Sequence, residues 1–183
     1  MKKIVISVLG YDRPGIVAAV SKTLLENRCN IEDVSQTILQ TEFAGIFIAS
    51  MPEGMSEQDL LAGLQERLAP LGLSVLVKEM GQAGVWEPIE SEPFVITTIG
   101  PDRLGLVAGI TEVLARFGVN IANLKAVFRG GENPRDNVMI YEVDIPVKTD
   151  QHEFRVLLYA RAAELGLDIS LQHRDIFEAV HRV

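Results

Sequence analysis

Cysteine, histidine and aromatic residues are all scarce in this chain of 183 residues, which has one cysteine, three histidines and 6% aromatic content. The lone Cys29 excludes an internal disulfide and gives no indication of an oxidising compartment. The histidines, at 152, 173 and 181, have no metal-ligand spacing, and no phosphate loop, dinucleotide motif or nucleophile–base pattern is present. We therefore predict that the protein is not an enzyme and has no metal and no cofactor.

Positive charge and long apolar runs are lacking as well. The chain has 17 basic and 25 acidic side chains, for a net charge of −8, and neither half shows a basic stripe. This balance argues against direct binding of nucleic acid. The apolar run after Lys3 stops at Gly10 and is too short to span a membrane. We expect no membrane partner and a cytoplasmic location.

What the chain does contain is one segment twice. Residues 3–38 and 93–128 align at a constant offset of 90 without a gap. Both copies carry the pattern Gly-x-Asp-Arg-x-Gly, which we call the first loop (residues 10–15) and the second loop (residues 100–105). The pair Asn-Ile recurs at 30 and 120. A duplicated polar loop predicts two related sites and not a single catalytic centre.

In each copy the apolar pattern predicts the order strand, helix, strand, strand, helix, strand. This order indicates an α+β class, ferredoxin-like βαββαβ fold with helices on one face of an antiparallel sheet. We predict domains at 1–80 and 93–174, packed side by side, with a linker at 81–92 and a tail at 175–183. The predicted strands are 3–9, 31–40, 45–51, 73–79, 94–99, 120–128, 138–147 and 168–173.

Several boundaries can be predicted from local signals. The helices after the two loops are expected at 14–28 and 104–117, while Ser56 and Asp150 have the spacing of caps for the other two. Hairpin turns are predicted at 42–45 and 129–136.

The duplicated loops, with Asn30-Ile31-Glu32 and Asn120-Ile121-Ala122, resemble the signature of ACT domains, small ligand-binding modules of amino-acid metabolism. The resemblance covers nearly the whole chain as two copies. A free-standing tandem pair of this kind is similar to the family of glycine cleavage system transcriptional repressors. The ligand-binding residues that the resemblance implies are Gly10, Asp12, Arg13, Pro14, Gly15, Asn30, Gly100, Asp102, Arg103, Leu104, Gly105 and Asn120.

The chemistry of these residues suits an amino acid. Glycine lets backbone approach a ligand closely, and amides at a helix start can hold a carboxylate. Asp12 or Asp102 can accept hydrogen bonds from an α-ammonium group, and Asn30 or Asn120 can bond to either end.

The strand order separates the loop of each copy from its own asparagine. Asp12 ends the first strand at one end of the sheet, whereas Asn30 begins the second strand at the other end. The resemblance implies sites shared between paired domains, so we expect Asp12 with Asn120 and Asp102 with Asn30. In a homodimer, Asp12 would instead face Asn30 of a second chain.

Each of these residues also has a purely structural interpretation. The two aspartates can be helix caps, the two asparagines can be turn residues with unusual backbone angles, and Arg13 and Arg103 can be solvated surface residues. The glycines at 15 and 105 can serve helix–sheet packing. Cys29 aligns with Val119, which predicts a small buried side chain and not a nucleophile.

The function that fits best is a non-catalytic regulatory protein that senses an amino acid and signals to a protein partner. If the repressor resemblance holds, its output is transcriptional control of amino-acid (glycine) metabolism. Two alternatives remain open, a ligand-free assembly module and a regulatory subunit of an amino-acid metabolic enzyme. Leu104 replaces Pro14 and Ala122 replaces Glu32 between the copies, which leaves open that one site is degenerate.

Overall fold

The computed structural model of the protein describes residues 2–81, 89–128 and 137–181. The chain divides into two compact units, a first unit of Met1–Trp86 and a second unit of Glu87–Val183. Most of the predicted linker and the predicted turn at 129–136 lie outside the described residues.

The first unit has six main elements in the order that the sequence predicts. Its four strands form one antiparallel sheet in the spatial order β2-β3-β1-β4. A short 3-10 turn, Ala69–Leu71, follows the second helix. The elements are β1 (Lys2–Tyr11), α1 (Ile16–Glu26), β2 (Asn30–Leu39), β3 (Glu42–Met51), α2 (Glu57–Leu68) and β4 (Ser74–Glu79).

The second unit repeats this arrangement and adds one helix. Its sheet has the antiparallel order β6-β7-β5-β8, which confirms two ferredoxin-like repeats. A fifth helix is formed where the sequence predicts a tail. The elements are β5 (Ser91–Gly100), α3 (Leu106–Arg116), β6 (Asn120–Phe128), β7 (Asn137–Pro146), α4 (Gln151–Glu164), β8 (Asp168–His173) and α5 (Arg174–His181).

Alternation along the central strands directs one set of side chains to the helices. In β1, Ile4, Ile6 and Val8 are buried in a cluster that includes Val20 and Leu24 of α1. Each side chain of this size contributes roughly 1.5–3 kcal/mol when it is fully buried. The second unit has its own separate core cluster of the same design.

The sheet face opposite the two packed helices, which we call the open face, differs between the units. In the second unit α5 contacts β5 and β8, and Arg174 reaches Glu142 with an Nη2–Oε2 distance of 3.9 Å. Glu142 pairs with Val95 of β5, and Val95 is only 3% exposed although it lies on the open face. In the first unit the corresponding residue, Val5, is half-buried, and Leu9 of the open face is 55% exposed.

The cap predictions for the second helix of each unit are confirmed. The Ser56 hydroxyl accepts a hydrogen bond from the Asp59 amide at 3.0 Å. The Asp150 carboxylate accepts two, from the amides of His152 and Glu153, each at 2.9 Å. These bonds satisfy amides that lack a partner within the helix.

Two predictions about loop boundaries in the first unit are wrong. The β2–β3 turn lies at Gln40 and Thr41, where Gln40 has a φ of 56°, and not at residues 42–45. Gly45 instead lies inside β3. Glycine is needed at this position because a Cβ would come within 2.8 Å of the Phe43 ring. The helix predicted to begin at Pro14 begins at Ile16, since Gly15 has a left-handed φ of 99°.

Candidate functional site

The first and second loops each end in a glycine that starts a helix. Gly15 and Gly105 are the N-cap residues of α1 and α3, with φ values of 99° and 88°. Glycine adopts this left-handed region without the steric penalty that a Cβ adds. A Cβ at either position would meet no atom within 4 Å, so these glycines do not serve helix–sheet packing as the structural interpretation supposed.

The helices that follow the loops, α1 and α3, lack the stabilisation at their first turn that α2 and α4 receive. Neither α1 nor α3 has a side-chain cap or an acidic residue in its first turn. In contrast, α2 and α4 have side-chain caps and acidic residues there. The start of a helix carries unpaired amides and a partial positive charge. At both loops this charge is left without an internal counterion.

Asp12 and Asp102 do not cap these helices, which corrects their interpretation as N-caps. Asp12 is half-buried, Asp102 is exposed, and both precede the N-cap glycine by three residues. The backbone amide of Asp12 donates to the carbonyl oxygen of Thr41 at 2.8 Å, which fixes the first loop to the β2–β3 turn. Neither carboxylate has a hydrogen bond or ion pair within the described residues.

The other loop side chains are also turned to solvent. Arg13, Pro14 and Arg103 are exposed, and Leu104 is fully exposed. Within the described residues neither arginine forms an ion pair. Arg103 passes over the backbone of Gly166, with its guanidinium about 3.5 Å from the place of a Cβ there. The two loops therefore present charged groups that are free to contact another molecule.

Gly10 and Gly100 have a structural role that the sequence analysis missed. A Cβ on Gly10 would lie 2.9 Å from the carbonyl oxygen of Gly72, and a Cβ on Gly100 would lie 2.9 Å from that of Gly166. Glycine is therefore needed at these two positions for contact with the turn after the second helix. Their recurrence in both copies, together with a glycine at the end of each second helix, was the signal available in the sequence.

Asn30 and Asn120 are the exposed first residues of β2 and β6. They are not turn residues with left-handed angles; that conformation belongs to Arg28 and Gly118, with φ values of 56° and 67°. The Asn120 amide lies 3.4 Å from a carboxylate oxygen of Asp144.

Within one unit, the loop and the asparagine lie at opposite ends of the sheet, as the strand order predicts. Asn30 pairs with Ser50, and Ser50 pairs with Lys3 of β1. Tyr11, the last residue of β1, is eight residues further along, which is roughly 26 Å at 3.3 Å per residue. One small ligand cannot reach both Asp12 and Asn30 of the same unit.

Cys29 and Val119 occupy the same position in the two cores, and each is 7% exposed. Burial raises the pKa of the Cys29 thiol, which disfavours the nucleophilic thiolate. This agrees with the prediction of a core residue.

No group of three or more potential metal ligands is present among residues 2–81, 89–128 and 137–181. In the same part of the chain, no helix is long and apolar enough to cross a membrane.

Comparison with known proteins decides the family. The family model of the ACT domain matches this chain twice, at residues 2–78 and 92–172. The chain belongs to the ACT domain family. Each match covers one βαββαβ repeat and includes one of the two loops, so the units are two ACT domains.

Relatives of single-domain length match one stretch of the chain. A UPF0237 protein of Methanopyrus kandleri is 42% identical over 79 residues, which is 43% of this chain and 88% of that protein. A UPF0237 protein of Methanosarcina acetivorans is 35% identical over 94 residues, or 51% of this chain and 98% of that protein.

Two solved structures match nearly the whole chain. A protein of unknown function from Galdieria sulphuraria has a TM-score of 0.75 and 26% identity, covering 94% of this chain and 98% of its own. A candidate glycine cleavage system transcriptional repressor has a TM-score of 0.63 and 20% identity, covering 93% and 96%. The fold of nearly the whole chain is therefore shared with other solved structures.

Proposed function

We propose that this protein is a non-catalytic regulator that binds an amino acid at the first and second loops and passes the signal to a protein partner. One observation carries the proposal: the helices that follow the duplicated loops both start at an uncapped glycine, while the other ACT helices are capped. Both domains show this difference between uncapped and capped helix starts, so it is a property of the repeated loop.

The uncapped helix starts suit the carboxylate of the ligand. The first amides of α1 and α3 have no internal acceptor, and a carboxylate placed there receives several hydrogen bonds together with the favourable end of the helix dipole. Gly15 and Gly105 leave the space above these amides open, because no atom lies within 4 Å of their missing Cβ.

The aspartates suit the α-ammonium group. Within the described residues the side chains of Asp12 and Asp102 have no hydrogen bond or ion pair, and they precede the N-cap glycines by three residues. A charge-assisted hydrogen bond from an ammonium group to such a carboxylate is shorter and stronger than a neutral one. Together the loop offers one group of each sign to a molecule that carries both charges.

Each site also requires a group from a second ACT domain. Because Asp12 and Asn30 lie at opposite ends of one sheet, the asparagine that completes a loop must come from another domain. We propose the pairs Asp12 with Asn120 and Asp102 with Asn30. The same residues can also form the pairs Asp12 with Asn30 and Asp102 with Asn120 across two chains.

A ligand bound between domains favours the domain arrangement that completes its site over the arrangement in which the site is incomplete. A partner that binds only one of these two arrangements receives the signal. We propose transcriptional control of amino-acid metabolism as the output, supported by the resemblance of the first loop and Asn30-Ile31-Glu32-Asp33 to the glycine cleavage repressors. The net charge of −8 favours action through a protein and not on DNA.

The test is thermal denaturation of the full chain in the presence of each of the twenty amino acids. At 100 times its dissociation constant, a ligand adds about 2.7 kcal/mol of stability. For a chain of this size that raises Tm by roughly 5–10 °C. The double variant Asp12→Asn with Asp102→Asn should lose the shift while it keeps its basal Tm, because neither carboxylate has a partner within the part of the chain that the structure describes.

Ser56→Ala is the matched control. It removes the cap of α2 and should lower the basal Tm, but the ligand shift should stay because Ser56 is not part of a loop. If no amino acid raises Tm, the ligand proposal fails, and oligomerisation without ligand then favours an assembly module. A shift that persists in the double variant places the ligand elsewhere.

A further inference from the structure

The core of the second ACT domain contains two polar side chains that have no hydrogen-bond partner. Thr98 is 0% exposed and Asn137 is 4% exposed. Within the described residues, the hydroxyl oxygen of Thr98 and both amide atoms of Asn137 are buried and lack a partner. Buried polar groups in native proteins are nearly always paired, with protein or with ordered water.

The two side chains lie next to each other on the helix-facing side of the sheet. Thr98 of β5 pairs with Met139 of β7, and Asn137 is two residues before Met139 on the same face. Diagonal neighbours of this kind have Cβ atoms about 7–8 Å apart or less. Their polar ends are therefore at a separation that one small molecule can bridge.

The first ACT domain has no such pair. The strand register places Val8 at the position of Thr98. Phe43 takes the position of Asn137, since each lies opposite the first glycine of its loop. Val8 and Phe43 are apolar and buried, at 1% and 2% exposure. The unpartnered groups are thus a property of the second domain and not of the fold.

The donors and acceptors of this pair match the needs of one water molecule. Asparagine supplies an acceptor oxygen and a donor amide, and threonine supplies a hydroxyl that can donate or accept. A buried water makes about three hydrogen bonds, and these two side chains offer three atoms. A charged ligand does not fit, since the pair carries no counterion.

We propose that Thr98 and Asn137 hold an ordered water molecule inside the second ACT domain. Because Asn137 lies opposite Gly100, this water site is at the base of the second loop. The corresponding residues below the first loop, Val8 and Phe43, have no polar side-chain atom that could hold a water. The proposal concerns the interior of one domain and is independent of what binds to the loops.

The first test is a crystal structure of the full chain at about 1.5 Å resolution. We expect a single density peak at hydrogen-bond distance, about 2.7–3.2 Å, from the Thr98 hydroxyl and from the Asn137 amide. Absence of the peak overturns the proposal. Density larger than one oxygen atom overturns it too, because the occupant is then not water.

The second test uses the isosteric change Thr98→Val, which removes the hydroxyl and keeps the shape. If a water is bound, this substitution leaves it with fewer partners, so the peak should weaken and Tm should fall by about 4 °C or more. The conservative variant Thr98→Ser should keep the peak. If the hydroxyl is truly unpaired, its removal raises Tm, and that result overturns the proposal.

Discussion

The carbonyl oxygen of Gly72 fills the space that a side chain on Gly10 would need, and Gly166 stands in the same relation to Gly100. The turn after the second helix of each domain is thereby packed against the strand that leads into the loop. The loop begins from a rigid base and ends at an uncapped helix. Its first glycine is needed for packing and its last glycine for backbone conformation.

Gly10→Ala should destabilise the first domain by about 1–3 kcal/mol, since a backbone carbonyl cannot move aside for the new methyl group. Gly63→Ala is the matched control, because Gly63 lies within α2 and a Cβ there would be 3.8 Å from its nearest neighbour. That change should stabilise the helix by about 0.5–1 kcal/mol. Urea denaturation measures both, and effects of the same sign would contradict the packing described for Gly10.

Two aspartates that precede helices should respond differently to alanine. Asp150→Ala removes an acceptor for two amides of α4 and should cost about 0.5–2 kcal/mol. Asp12→Ala removes no side-chain hydrogen bond to any described residue and should change the free energy of unfolding by less than about 0.5 kcal/mol. A large loss of stability in Asp12→Ala would show that Asp12 caps α1 after all.

Tyr141 should make the second domain sensitive to alkaline pH. Burial raises the pKa of Tyr141 to about 12, whereas an unfolded tyrosine titrates near 10. Between these values the folded state keeps a proton that the unfolded state releases. Stability is therefore fully present below pH 10 and falls as pH rises towards 12, by up to about 1.4 kcal/mol per pH unit.

Tyr141→Phe should abolish this part of the pH dependence. Its counterpart in the first domain is Phe47, and among the described residues the Tyr141 hydroxyl donates only to the sulfur of Met139, at 3.4 Å. The variant should thus remain folded at neutral pH. The measurement is the free energy of unfolding from about pH 9 to about pH 12 for both proteins, and parallel curves would count against a raised pKa.

The number of ligand sites in double variants should reveal which domains pair. If sites form within one chain, Asp12→Asn with Asn120→Ala disables one site and leaves one, while Asp12→Asn with Asn30→Ala disables both. Pairing across two chains reverses these results. Isothermal titration with the amino acid that gives the largest thermal shift counts the sites, and two sites per chain in both variants would exclude both arrangements.

Local signals were sufficient to predict most of the fold from the sequence. The caps at Ser56 and Asp150 depend on residues three positions apart, and both are observed. The strand order followed from apolar periodicity, and it correctly separated Asp12 from Asn30.

The errors arose where a distant contact decides the local structure. Gly45 looked like a turn residue, but it is needed inside β3 beside the rings of Phe43 and Phe47. Pro14 suggested a helix start that Gly15 delays by two residues. The constant offset of 90 does not predict the pair of Thr98 and Asn137, because the offset between the copies is larger after residue 128. Asn137 therefore corresponds to Phe43 and not to residue 47.

The helix α5 gives the two domains different surfaces at the open face of the sheet. It contacts β5 and β8 of the second sheet, where Val95 of the open face is 3% exposed, whereas the first sheet leaves Leu9, Ile46 and Leu76 each more than half exposed. A binding protein that recognises these three side chains meets them once per chain. The two sheets have the same strand order, and the eight residues of α5 add to the second domain an element that the described part of the first domain lacks.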